Sequence, residues 1–118
     1  MSTRKDSDFL NGVPELLVLR LLDREPMHGY QIVQALRLAS SDVLAFGEGS
    51  VYPVLHRLES EGRLASGREL VGGRSRVVYR VTPAGRELLA ASSARWARVA
   101  AAVTRVLEGG RDGAPAVA

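Results

Sequence analysis

Five arginines, Arg63, Arg68, Arg74, Arg76 and Arg80, fall within the stretch 63–80, where Glu69 is the only acid. Fifteen of the chain's sixteen basic residues are arginine, whose planar guanidinium forks onto phosphate oxygens and guanine edges. The chemistry such a cluster suggests is anion recognition, although a solvated hairpin can carry the same residues. Other chemistries lack their parts. The two histidines, His28 and His56, lie far apart in sequence, and no cysteine is present to complete a zinc site or act as a nucleophile. The acids are scattered, with no pair set beside a nucleophile or a base. No catalytic residue, metal or cofactor is expected.

A chain of 118 residues has room for one domain, and 46% hydrophobic content can fill a modest core. No run approaches the roughly 18 apolar residues of a membrane span. The start, "MSTRKDSDFL", is polar and unlike a secretory signal. Together with the missing cysteines this gives a cytoplasmic expectation.

The elements that must position the arginines follow from periodicity. Residues 1–11 read as a flexible arm or short helix that docks through Phe9 and Leu10. A first helix spans about Pro14 to Asp23, with proline in a first turn whose N–H groups have no helical acceptor. Leu17, Val18 and Leu21 can face the core, and Glu15 and Arg20 water. Pro26 breaks the pattern. A second helix runs from His28 to Ala39, where Ile32, Ala35, Leu36 and Ala39 repeat at the spacing of one buried face. His28 fits its cap, Gly29 permits close backbone packing, and Tyr30 is expected in the core. "SSDVLAFGEG" is a connector with a short strand at Val43 to Phe46.

The third helix is "GSVYPVLHRLESEGRL". Val51, Val54, Leu55 and Leu58 make its apolar side; Gly62 ends it by accepting left-handed geometry. With Ser50 as cap, Pro53 falls in the tolerant first turn. Two extended runs joined by "VGGRS" then form a hairpin, and Val77, Tyr79 and Val81 alternate onto one of its faces. Thr82 can cap and Pro83 begin a long last helix to Leu107, about 37 Å. In it Leu89, Trp96 and Val103 recur seven apart with Val99 and Val106 between, and Ser92 interrupts them. This narrow seam suits a dimer partner.

Three helices, a hairpin and a long helix make a mainly α chain with a small β-hairpin: a winged helix-turn-helix with a long C-terminal dimerisation helix. The winged domain covers 12–82, the dimerisation helix 83–108, and a disordered tail 109–118. In such a fold the third helix enters the major groove and the wing reaches phosphates.

Four signatures in order sharpen this: "MHGYQI", "GSVYPVLHRLESEGRL", "GGRSRVVYRVTPAG" and a tryptophan-bearing final helix. Over about residues 12–107 the chain resembles the PadR family of transcriptional regulators, in its shorter form with a single C-terminal helix. The resemblance implies a homodimeric repressor that binds an inverted-repeat operator on double-stranded DNA and is released by a small hydrophobic or aromatic effector. A winged helix that binds protein instead of DNA is the alternative; the arginine-rich wing argues against it.

The DNA-contacting candidates are Ser50, Tyr52, His56, Arg57, Arg74, Ser75 and Arg76. Each has a plainer reading. Tyr52 can pack on the hairpin, His56 can be a surface residue, and Arg57 can pair with Glu61 one helical turn away. Arg80 can be a solvated strand residue. Leu89, Trp96, Val99 and Val103 are the candidates for a dimer interface or an effector surface. Trp96 serves as an interface anchor or as a stacking plane for a flat effector.

Overall fold

The computed structural model describes the backbone of residues 12–117 and the side chains of 12–109. The arm expected at 1–11 lies outside the described residues. The chain order is α1 (Val13–Arg24), β1 (Met27–His28), α2 (Gly29–Ala39), α3 (Glu48–Ser60), β2 (Leu64–Val71), β3 (Arg74–Val81) and α4 (Pro83–Val117). Among the described residues no helix is long and apolar enough to cross a membrane.

The helices bury the apolar sides their spacing marks out. Val18, Leu19 and Leu22 of α1 meet Ile32, Val33 and Leu36 of α2 and Val51, Leu55 and Leu58 of α3 in one core. Leu17, Ala35 and Val54, expected inside, are only partly buried, and Ala39 is exposed. Phe46 anchors the connector in this core. The strand expected at Val43 to Phe46 is absent: the segment holds no ladder, and Val43 is exposed.

β3 is the middle strand of a three-stranded sheet of order β1-β3-β2. The expected hairpin is present, with Val71 opposite Arg74 across a two-residue Gly72–Gly73 turn. Both glycines have positive φ, 58° and 80°, the geometry that a tight hairpin with right-handed twist demands. The third strand is an addition to the expected pair. Met27 and His28 lie opposite Tyr79 and Val78, so both sides of β3 are hydrogen-bonded. Val78 is consequently buried beside Tyr79, which blurs the simple alternation.

Two helix starts differ in quality from one another. His28 caps α2 as expected: its Nδ1 accepts from the Gln31 N–H at 3.3 Å, and its own N–H donates to Gln31 Oε1 at 3.1 Å. The start of α3, in contrast, is Gly47 and not Ser50. Pro53 therefore lies inside the helix, beyond the first turn, and deprives the Gly49 carbonyl of its helical donor. Gly49 is exposed, so water can take that place.

A compact knot joins α3, the sheet and α4. Gly62, at φ 78°, closes α3, and the Arg63 N–H returns to the Leu58 carbonyl at 2.8 Å. The Thr82 hydroxyl donates to the Gly62 carbonyl at 2.7 Å and accepts from the Gly85 N–H at 3.1 Å, capping α4. The Thr82 N–H donates to the Arg63 carbonyl, and the Arg63 guanidinium donates to the Ala84 carbonyl at 2.9 Å. Gly85 has no room for a side chain, because a Cβ there would stand 2.1 Å from the Arg63 carbonyl oxygen.

α4 continues past the expected end at Leu107, through residues read as a tail, to Val117. Once a helix is nucleated, each further residue adds a hydrogen bond, so a long helix extends into sequence with no periodicity of its own. Leu89 is not on a free seam. It is 5% exposed and belongs to the core, where α4 packs on α1 beside the Asp23–Arg86 ion pair.

Candidate nucleic-acid interface

The register divides the wing into two faces. Ser66, Arg68 and Leu70 stand opposite Tyr79, Val77 and Ser75; Ala65, Gly67, Glu69 and Val71 stand opposite Arg80, Val78, Arg76 and Arg74. The first face looks toward α3, to which the Ser66 hydroxyl is tied by a 2.6 Å bond to Glu59. Across it the Arg68 guanidinium donates to the Ser75 hydroxyl at 3.3 Å. Arg74 and Arg76 take the alternate register positions, yet Arg76 lines the same groove as Ser75 and Arg68. Arg80 is ion-paired with Glu69, which fits its reading as a strand-face residue. Among the described residues Arg68, Arg74 and Arg76 pair with no carboxylate.

A groove of about 450 Å³ runs between α3, the start of α2 and the wing. It brings together four expected candidates, Tyr52 and His56 from α3 and Ser75 and Arg76 from β3, and adds Arg68. The Tyr52 and His56 rings lie 6.2 Å apart, tilted by 47°. Tyr52 is half-buried and presses on Gly29, where a Cβ would come within 2.4 Å of its hydroxyl oxygen. This is the close packing expected of Gly29. Tyr30 lies at the groove's edge and not in the core: it is 49% exposed, and its hydroxyl accepts from Gln34 at 2.6 Å. It stands in the first turn of α2, on the side opposite Ile32.

Two groups of the groove are held neutral. Burial, and then the nearby Arg76 charge, lower the pKa of His28. Burial raises that of Tyr79, helped by the Glu59 carboxylate and the Tyr52 phenol. The permanent charge on the wall is therefore that of Arg68 and Arg76.

Other candidates lie elsewhere. Arg57 turns to α1: its guanidinium is 2.9 Å from Glu15 and 3.7 Å from Glu61. Glu15, expected to face water, is thus a partner of α3. Ser50 is half-buried in the first turn of α3. Trp96, Val99 and Val103 leave 47%, 47% and 51% of their surface exposed along α4, and Val106 and Leu107 extend the stripe. Arg68 belongs to the arginine cluster but is absent from the expected DNA contacts, and the groove includes it. Its signal was the register itself, since pairing opposite Val77 puts it on the helix-facing side. Among the described residues no group of three histidine, cysteine, aspartate or glutamate side chains is arranged to hold a metal ion.

Residues 18–91, from the middle of α1 to the start of α4, match the transcriptional regulator PadR-like family. The chain belongs to that family. Transcriptional regulator Rv3488 of Mycobacterium tuberculosis is 39% identical over 82 residues, covering 70% of this chain and 74% of the relative. A PadR-like transcriptional regulator of Bacillus cereus has a similar structure, with TM-score 0.76 and 28% identity over 86% of this chain and 98% of that one. A PadR family regulator of Eggerthella lenta superposes with TM-score 0.68 at 30% identity, covering 86% and 91%. This PadR-like chain is a winged-helix, DNA-binding transcriptional regulator, and the groove between α3 and the wing is its candidate contact surface.

Proposed function

We propose that this PadR-like regulator is a homodimeric repressor that reads an inverted-repeat operator and lets go when a small hydrophobic or aromatic effector binds. The observation that carries the DNA-reading part is the shared groove: Tyr52 and His56 of α3 stand beside Ser75, Arg76 and Arg68 of the wing. α3 then lies in the major groove while Arg68, Arg74 and Arg76, unpaired with any carboxylate among the described residues, take phosphates. Arg74, at the wing tip, takes a phosphate. Ser50 offers a hydroxyl near the helix start. Arg57, held by Glu15, fastens the helix and contacts DNA only from that position. Dimerisation uses the exposed stripe Trp96, Val99 and Val103, and the effector meets this stripe at Trp96. A cytoplasmic location follows from the DNA partner.

The test is fluorescence anisotropy with duplexes selected from a random pool, titrated at several salt concentrations. Selected sites should be inverted repeats with half-sites a whole number of helical turns apart. R74A should weaken all duplexes similarly and lower the salt slope by about one. Absence of binding even at low salt would defeat this reading and favour a protein partner for α3.

A further inference from the structure

On the side of α1 that meets the end of α2 and the connector, four leucines wall a cavity of about 230 Å³: Leu17, Leu21, Leu36 and Leu44. Arg20 and Arg24, both exposed, share its lining. Arg24 pairs with no carboxylate among the described residues, and Arg20 has only a 3.6 Å contact with Asp23. The Ser40 hydroxyl in the wall is already spent, donating to the Leu36 carbonyl at 2.8 Å and accepting from the Leu44 N–H at 2.9 Å. An occupant must therefore be apolar in its body and anionic at its ends. The residues ahead of α1 have that composition, with Asp6 and Asp8 just before Phe9 and Leu10. We propose that residues 6–10 of the same chain fold back onto this cavity, Phe9 and Leu10 among the leucines and Asp8 and Asp6 at Arg20 and Arg24.

Chain length and direction favour this occupant. The chain enters α1 through Gly12 in the left-handed conformation, φ 92°, so it turns there and leaves the line of the helix. At 1.5 Å per residue, Leu17, Arg20 and Arg24 lie about 8, 12 and 18 Å beyond Gly12 along α1. An extended chain covers up to about 3.3–3.6 Å per residue, so Phe9, Asp8 and Asp6 can reach back about 10, 14 and 20 Å. The two series match in order: ring beside Leu17, first carboxylate at Arg20, second at Arg24. Guanidiniums take such carboxylates through two parallel hydrogen bonds. Ser40 caps α2 and Leu44 lies in the connector to α3, so a seated segment braces the joint between those two helices. The seat is separate from the groove beside α3 and from the α4 stripe around Trp96, and it does not depend on DNA.

Proton NOEs from the Phe9 ring in the full chain test the seat directly. The chain has two phenylalanines, so F9A identifies the Phe9 signals by deleting them. The ring should contact the methyls of Leu17, Leu21 and Leu44. R20E/R24E should weaken those contacts roughly several-fold, as two exposed ion pairs turn repulsive, and D6R/D8R in the same chain should restore them. R98A/R105A, which removes the same charge from α4, should leave them unchanged. A co-refolded mixture separates the chain's own segment from that of a second copy: one set of chains carries labelled leucine methyls, the other the protonated Phe9 ring. That mixture should show none of the contacts. Absence of the contacts in the full chain, indifference to R20E/R24E, or failure of the rescue would overturn the seat. Contacts in the mixture would give the cavity to a second copy's segment and overturn the fold-back.

Discussion

Replacing Gly29 by alanine should separate stability from DNA binding. The added methyl would stand 2.4 Å from the Tyr52 hydroxyl oxygen and 2.5 Å from two of its ring carbons, far inside contact distance. Relief comes most cheaply from the tyrosine, since its ring ends in an open groove while the glycine backbone is fixed by the His28 cap. Forced overpacking costs about 1–3 kcal/mol, at the low end where a side chain can swing away. Alanine recovers up to about 1 kcal/mol over glycine in a helix, and less at the first position. The net change in stability is therefore small, about 0–2 kcal/mol of loss. Binding suffers differently. If the Tyr52 hydroxyl takes a DNA phosphate, its displacement forfeits about 1.5–3 kcal/mol, roughly ten-fold or more in affinity. Urea unfolding and duplex anisotropy of wild type, G29A, Y52F and the double variant provide the measurement. Both single changes act through one hydroxyl, so the double variant should bind no more weakly than the worse single. Fully additive losses, or wild-type affinity in G29A beside a weakened Y52F, would refute the reasoning.

G85A should destabilise by about 1–3 kcal/mol despite a better helix former, because the clash is with the Arg63 backbone and no side chain can give way; thermal unfolding would show a lower midpoint. A double-mutant cycle on Glu15 and Arg57 should give a coupling of about 0.5–1 kcal/mol that shrinks with salt, as befits side chains 23% and 47% exposed. A coupling of zero would mean that α3 is not fastened there. His28 has its pKa depressed in the fold, so its contribution is fully present above the ordinary value of 6.5 and is lost as pH falls through the folded value. H28N keeps a capping oxygen but cannot titrate, so its stability should fall less than that of wild type on acidification below that value, measured by urea unfolding at each pH.

Local chemistry was the legible part of this chain. The paired glycines of the wing turn, the histidine and threonine caps and the Gly62 stop depend on neighbours within a few residues, and each is found where the sequence puts it. Features set by distant partners were not readable. β1 is two residues long and exists only because β3 offers it an edge. Pro53 was misplaced because helix α3 begins at an inconspicuous glycine, which has no side-chain oxygen to advertise a cap. Leu89 sits on the heptad of Trp96 and Val103, yet the packing of α4 on α1 buries it alone of the three. For the candidate site the same division holds. Residue type flagged Tyr52, His56 and the wing arginines, whereas only the sheet register shows Arg68 facing α3 and only the Glu15 contact shows Arg57 facing away.

The knot of Gly62, Arg63, Thr82 and Gly85 has a mechanical consequence. It ties the end of α3 to the root of the 35-residue α4 through side-chain and backbone hydrogen bonds. On the proposed dimer α4 would act as a calliper arm: the angle at which two such arms cross would set the gap between the two copies of α3. A change in the ladder of side chains along α4 would then retune the half-site spacing of the proposed operator while leaving α3 and the wing untouched.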